Sequence, residues 1–208
     1  MTSAARHEPE PGPAVGPVPC PELLEAWLGG SVHADALRGV DAGADPALKP
    51  ADAAHFRDVL GRFASGITVV TAIHDGEPVG LTCQSFSSVS LEPPLVLFAV
   101  AGTSRSWPAI RAAGRFCVNL LAADQAWVSN AMASRGADKF ADVDWTPSQA
   151  TGSPRLAGTL GHVDCTVHAV HPAGDHDVVV GRVVDLAAGD AGEDDPLLFY
   201  RGRYRTTG

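Results

Sequence analysis

Apolar and polar residues alternate most regularly near the carboxyl end of the chain. Val163, Cys165, Val167 and Ala169 are set against His162, Asp164, Thr166 and His168, the two-residue period of a strand with one face toward water. Asp177–Leu186 predicts a second strand after the turn Pro172-Ala173-Gly174-Asp175, and Leu197-Leu198-Phe199-Tyr200 with Gly202-Arg203-Tyr204 predicts a closing strand and tail. Upstream, Ile67–Ile73 is β-branched, and an Asp-Gly pair in His74-Asp75-Gly76-Glu77-Pro78 suits a hairpin before Val79–Thr82 resumes. Leu95–Val100 and Arg115–Leu121 read as further strands. Helical spacing places Phe56, Val59, Leu60, Phe63 and Ala64 on one face of a helix over Asp52–Gly66, with Gly66 as a left-handed stop. Trp107–Ala113 predicts a short helix, and Ala123–Ser134 a longer one carrying Trp127, Val128 and Met132. No internal repeat is visible. Strands dominate, connections are short and helices sit at the margins, so the pattern predicts a mainly β chain, an antiparallel barrel decorated by a few helices.

The amino-terminal part reads differently. Pro9, Pro11, Pro13, Pro17, Pro19 and Pro21 favour extended, poorly packed chain, so residues 1–50 are expected to be a partly disordered extension and residues 51–208 the folded domain. Within the extension, Leu23, Leu24, Trp27 and Leu28 share one face between Pro21 and the Gly29-Gly30 pair, predicting a short amphipathic helix over 21–28. Two turns do not stand alone in water. That helix is expected to dock on the main body, on a second subunit or on a partner protein.

Composition narrows the classes of function. The chain has 208 residues, 45% hydrophobic and 19% charged, enough apolar side chains to bury one domain core. Its 24 acidic against 15 basic side chains give a net charge of −9, which argues against nucleic acid and anionic lipid as partners. Uncharged stretches such as Pro93–Ser104 fall short of the roughly 18 apolar residues of a membrane span. The start, Met1 to Glu10, lacks the apolar run of a secretory signal, so a soluble, cytoplasmic protein is expected. Cys20, Cys83, Cys117 and Cys165 stand singly, as free and mostly buried thiols do.

The familiar catalytic signatures are missing: no nucleophile elbow, phosphate loop, dinucleotide fingerprint or zinc-protease helix is present. Instead a run rich in hydroxyls and amides, Thr82-Cys83-Gln84-Ser85-Phe86-Ser87-Ser88-Val89-Ser90-Leu91-Glu92-Pro93-Pro94, joins two strong strands, and Gly102-Thr103-Ser104-Arg105-Ser106 forms a second polar patch. Small hydroxyls beside free backbone N–H groups, with one Arg to add charge-assisted hydrogen bonds, suit a phosphate. His162, His168, His171 and His176 neighbour Asp164 and Asp175. His162 and His168 share a strand face, but six residues span about 20 Å, so the two cannot hold one ion, and no metal site is expected.

Taken together, Phe56-Arg57, Gly66-Ile67-Thr68-Val69-Val70-Thr71, the run from Gly80 to Val96, Ser104-Arg105-Ser106-Trp107-Pro108, Phe116-Cys117-Val118-Asn119-Leu120-Leu121, Lys139-Phe140, Gly174-Asp175-His176 and Tyr200-Arg201-Gly202-Arg203-Tyr204 closely resemble the flavin reductase family with the FMN-binding split-barrel fold. The likeness covers about residues 52–205, with its motifs in the expected order. It implies an antiparallel split β-barrel with a few flanking helices, a homodimer, and reduction of FMN or FAD by NADH or NADPH for release to a separate oxygenase component. Carried onto this sequence, the resemblance implies that Thr82, Cys83, Gln84 and Ser85 line the isoalloxazine and ribityl chain, and that Ser88 and Val89 touch the ring or ribityl region. Ser104, Arg105 and Ser106 would hold the phosphate and Phe140 would cover part of the flavin. Gly174, Asp175 and His176 would meet the nicotinamide, with His176 as the candidate catalytic residue, orienting it by hydrogen bonding. Many relatives have Ala-Asn where this chain has Cys83-Gln84.

A chain without nucleophile or acid–base pair is consistent with hydride transfer, which needs the two reacting atoms held close and water excluded. Two other readings stay open from the residues alone: a flavin-binding protein that does not turn over nicotinamide, and a structural dimer that has lost flavin.

Overall fold

The computed structural model describes residues 52–135, 138–191 and 195–207. The proline-rich extension, the helix expected over 21–28 and Cys20 lie outside the described residues. Among these residues the chain is mainly β, with antiparallel sheets and three short helices, and no helix is long and apolar enough to cross a membrane.

Helix α1, Ala53–Leu60, starts where the Asp52 carboxylate accepts a hydrogen bond from the His55 N–H at 3.0 Å, an N-cap that satisfies one of the helix's open donors. The spacing of apolar residues predicts a helix running to Gly66, but the helix ends at Leu60. Gly61 closes back on the Arg57 carbonyl at 2.9 Å, and Ser65–Gly66 leaves as strand β1, paired with Phe199 and Leu198. Gly66 is therefore extended strand and supplies no left-handed stop; a long-range strand pairing overrides the local helical period.

Seven strands make the main sheet: β2 (Thr68–His74), β3 (Glu77–Cys83), β4 (Ser87–Leu91), β5 (Pro94–Ala101), β6 (Arg115–Leu120), β9 (Gly161–Ala173) and β10 (His176–Ala188), in the order β3-β2-β6-β9-β10-β5-β4. The Asp75-Gly76 turn between β2 and β3 has φ of 51° and 84°, the doubly left-handed turn that matches the twist of a hairpin. Strand β4 lies within the hydroxyl-rich run expected to be a connection. Its serines alternate along a pleat against β5, with Ser88 opposite Val96 and Ser90 opposite Leu95, so cross-strand pairing supplies what residue propensity does not. Helix α2 spans Trp107–Ala113 as its sequence predicts, whereas α3 is shorter than expected, Ala126–Ala133.

Strand β2 is buried on both faces and separates two cores. Val70 belongs with Phe98, Trp107, Ile110 and Phe116, and Val69 with Leu121, Met132, Phe140 and Leu197. In the first core Phe98 meets Trp107 and Phe116 edge to face, with ring centroids 6.0 and 5.4 Å away, a favoured aromatic geometry.

The alternation in β9 departs from expectation. Thr166 and His168 are exposed, but His162 and Asp164 are buried, at 5% and 0% exposure. A two-stranded hairpin, β7 (Trp145–Pro147) with β8 (Pro154–Leu156), carries Ser148 and Thr151, whose hydroxyls donate to Asp164 Oδ1. That cover comes from the hairpin just before β9, 13 and 16 residues ahead of Asp164, so the alternation within β9 itself does not announce it. The β9–β10 turn is also tighter than expected: β9 continues through Ala173, leaving Gly174-Asp175 as its tip. Strands β11 (Leu198–Tyr200) and β12 (Arg203–Arg205) form a small sheet with β1.

Candidate functional site

The carboxyl end of β3, the loop from Ala101 to Ser106, the end of α3 and the Asp138–Phe140 segment surround a cavity of about 540 Å³. Thr82, Ser104, Arg105, Ser106, Lys139 and Phe140 are among its walls. A second concavity of about 390 Å³ shares Thr82 and Ser104 with it and adds Cys83, Gln84, Ser85 and His176. The volumes are of the size that small-molecule sites have. Ten of the sequence-predicted site residues are thus brought to two adjoining hollows: Thr82, Cys83, Gln84, Ser85, Ser104, Arg105, Ser106, Phe140 and His176 line them, and Asp175 touches His176. Ser88 and Val89 line neither; they lie on β4, with Val89 half-exposed at the register shift between Ser88 and Ser90. Gly174 sits in the hairpin tip and lines neither hollow.

Several side chains have defined tasks. Thr82 Oγ1 donates to the Ser129 carbonyl at 2.6 Å, tying β3 to α3. Ser85 Oγ accepts from the Ala99 N–H at 2.8 Å and donates to the Ala99 carbonyl at 3.0 Å, so this hydroxyl finishes a strand edge instead of facing the hollow unpaired. The Cys83 thiol lies 3.1 Å from Ser85 Oγ, and burial pushes its pKa up. Ser104 Oγ accepts from the Trp107 N–H at 3.3 Å, while the Trp107 indole N–H donates to Asp177 at 2.9 Å, fixing α2 against β10. The Gly102 N–H donates to the Asp175 carbonyl at 2.9 Å, which pins the β9–β10 tip beside the Ala101–Ser106 loop. His176 Nδ1 is 2.7 Å from Asp175 Oδ1; that hydrogen bond, and then the imidazole charge, hold the Asp175 carboxyl below its usual range.

Three cations line the larger hollow, Arg105, Arg135 and Lys139, and two of them, Arg105 and Lys139, are held in different ways. Arg105 is exposed and has no hydrogen bond or ion pair among the described residues, so its forked donors are free. Lys139 Nζ donates to the Gly80 carbonyl at 3.0 Å, the Met132 carbonyl at 2.7 Å and Ser106 Oγ at 3.1 Å, which uses all three of its donors. Burial lowers its pKa. Its three contacts are dipoles, and among the described residues no carboxylate forms an ion pair with it, although Asp138 also lines this hollow. The sequence shows Lys139 only as part of the Lys139-Phe140 pair and assigns it no role. Its acceptors lie on a strand, a helix and a loop far apart in sequence, so spacing gives no hint of it. Gly80 was also missed, although a glycine inside a strand is a signal of close approach: a Cβ there would stand 2.8 Å from Met132 Sδ and 3.2 Å from Phe140 Cζ.

The larger hollow thus sets cationic and hydroxyl side chains beside an aromatic wall on a β scaffold. The profile of the flavin reductase like domain matches residues 60–208, and the chain belongs to that family. It is 56% identical over 149 residues to the reductase subunit HsaB of a flavin-dependent monooxygenase from Mycobacterium tuberculosis, covering 72% of this chain and 79% of that protein. It is 40% identical over 171 residues to an NADH:riboflavin 5'-phosphate oxidoreductase of Streptomyces pristinaespiralis, covering 82% and 95%. The solved structure of the NADH:FAD oxidoreductase SgcE6 of Streptomyces globisporus C-1027, in complex with NAD and FAD fragments, superposes with a TM-score of 0.72 at 35% identity, covering 77% of this chain and 96% of that one.

Proposed function

We propose that this chain is an NADH:flavin oxidoreductase, the reductase component that supplies reduced FMN or FAD to a separate monooxygenase. The observation that carries the reading is the larger hollow, where Arg105, Lys139 and the hydroxyls of Ser104 and Ser106 gather against Phe140. In a chain of net charge −9, that concentration of donors suits a phosphorylated aromatic ligand and little else. The residues therefore fit a flavin mononucleotide moiety. Bound flavin supplies the hydride acceptor.

The chain's own residues bind and orient. Arg105 and the hydroxyls grip the phosphate, Thr82, Cys83 and Gln84 line the ring and ribityl chain, and Phe140 provides an apolar wall that keeps water from one side. Asp175 fixes the ring of His176, which stands at the second hollow to position the nicotinamide by a hydrogen bond. Neither Ser88 nor Val89 has a place in this reading on the single chain. Closure of the sheet as a split barrel, a homodimer, residues 51–208 as the folded domain and a cytosolic setting belong to the same proposal. The dimer is supported by exposed apolar side chains, Phe56 and Leu60 on α1, Phe63 in the loop after it and Leu91 on β4.

The test is anaerobic mixing of the full chain with NADH and FMN, followed at the nicotinamide and flavin absorbance bands. One flavin should be reduced for each NADH oxidised; a folded protein that binds FMN but leaves NADH untouched overturns the reading.

A further inference from the structure

The β9–β10 pair places three metal-ligating side chains together away from the hollows just described. Asp185 lies directly opposite Asp164, and His162 is two residues from Asp164 on the same strand face. A register shift between Val183 and Asp185 produces that opposition; a bulge of this kind re-aims the residue that follows it. One ligand atom from each of His162, Asp164 and Asp185 falls within 4.8 Å of the other two.

A second observation points to an occupant. Asp164 is fully buried, and its Oδ1 accepts from Ser148 at 2.8 Å and from Thr151, yet Oδ2 has no partner at all. A buried carboxylate oxygen left unpaired is costly, and carboxylates placed directly opposite each other on a sheet repel. The ion pairs of the described residues, Arg62–Asp58, His74–Asp75 and His176–Asp175, all lie elsewhere. Among the described residues no lysine or arginine forms an ion pair with either carboxylate; Arg155 lies in the hollow beside His162 without reaching them.

We infer that His162, Asp164 and Asp185 form a binding site for one divalent transition-metal cation, which clips β9 to β10. An imidazole nitrogen with two carboxylate oxygens suits zinc or manganese, and the nitrogen disfavours magnesium and calcium. With metal–ligand bonds of about 2.0–2.2 Å, ligands of one ion stand at most about 4.4 Å apart, so the present spacing closes with a small rotation of Asp185. That side chain is free to rotate: it is exposed and makes no hydrogen bond among the described residues. His162 also lines a separate hollow of about 400 Å³ with Ala187, Arg155 and Asp190, which gives water access to the remaining coordination positions. The spacing that separates His162 from His168 does not bear on this set, because its third member comes from the neighbouring strand. The site shares no residue with the flavin hollows and does not depend on the activity assigned above.

The test is calorimetric titration of the untagged, chelator-treated full chain with zinc chloride. One equivalent should bind saturably, and zinc should raise the thermal midpoint. Asp185→Asn, on an exposed side chain that the fold does not need, should weaken binding at least tenfold and abolish the thermal shift. Asp75→Asn, at the exposed Asp75 beside His74, should leave both unchanged. No saturable binding by the wild-type chain, or binding undiminished in Asp185→Asn, overturns the site.

Discussion

Arg105 and Lys139 carry the same charge into the same hollow but are held so differently that their removal should read differently. The Arg105 guanidinium has no partner among the described residues, so Arg105→Ala costs the fold little and removes only what it would give a ligand. A charge-assisted hydrogen bond is worth about 1.5–3 kcal/mol, or roughly tenfold to a hundredfold in affinity. Fluorescence titration should show FMN weakened by that factor in Arg105→Ala while riboflavin, lacking the phosphate, binds as before; equal weakening of both refutes the phosphate role. Lys139→Met instead orphans the Gly80 and Met132 carbonyls and the Ser106 hydroxyl. Leaving buried acceptors unsatisfied costs about 1–3 kcal/mol, so this variant should lose stability in urea and bind both flavins less well. Arg105 was legible in the sequence because an arginine amid serines is a local pattern. The task of Lys139 was not, since its three acceptors come together only when β3, α3 and the α2 entry are assembled.

At the scale of elements, the β9–β10 ribbon depends on glycine where it crosses the core. A Cβ at Gly181 would stand 2.6 Å from Phe116 Cζ and 3.1 Å from Cys165 Cβ, and both neighbours are fully buried. Gly181→Ala therefore forces the aromatic pair of Phe98 and Phe116 to shift; overpacking of this sort costs about 1–3 kcal/mol, to be read as a lower urea midpoint. A variant as stable as the wild type would show that the ribbon can slide away from β6. Elements with a strong local signature were legible: the Asp75-Gly76 hairpin, the β-branched β2, and α2 between Ser106 and the left-handed Gly114 at φ 68°. Those built by pairing were not. Strands β7 and β8 are three residues each and both contain proline, and β4 is mostly serine; only their partners make them strands. The loop of the same β7–β8 hairpin covers Asp164, so the half-wet strand predicted by alternation is only half wet, for a reason that lies in the preceding element and not in β9 itself.

At the scale of the whole molecule, the described residues hold two cores that share one strand, and large apolar side chains stay exposed on α1, in the loop after it and on β4. Phe63 is 81% exposed and Leu91 93%, an arrangement that water disfavours and a second copy would cover; sedimentation of the full chain should give a dimer, and a monomer at micromolar concentration would contradict that. Cys83 links the larger core to the site, since it packs among Val70, Leu81 and Phe98 and also lines the smaller hollow. Burial raises its pKa above the usual 9.0, against the opposing pull of its contacts with Ser85. The sign follows: above pH 9 the unfolded chain releases this proton while the folded chain keeps it, so the unfolded state binds fewer protons and stability falls with rising pH. The loss runs from the ordinary value toward the raised one, at up to about 1.4 kcal/mol per pH unit. Lys139 acts in the opposite direction, because burial lowers its pKa below 10.5 and the unfolded chain then holds the extra proton. The lysine is the more solvated of the two, so its contribution is the more screened. Urea unfolding of the wild type and of Cys83→Ala at a series of alkaline pH values separates the terms. The variant, which has no thiol to titrate here, should lose less stability than the wild type as the pH rises past 9, and parallel curves would mean that Cys83 ionises as readily in the fold as outside it.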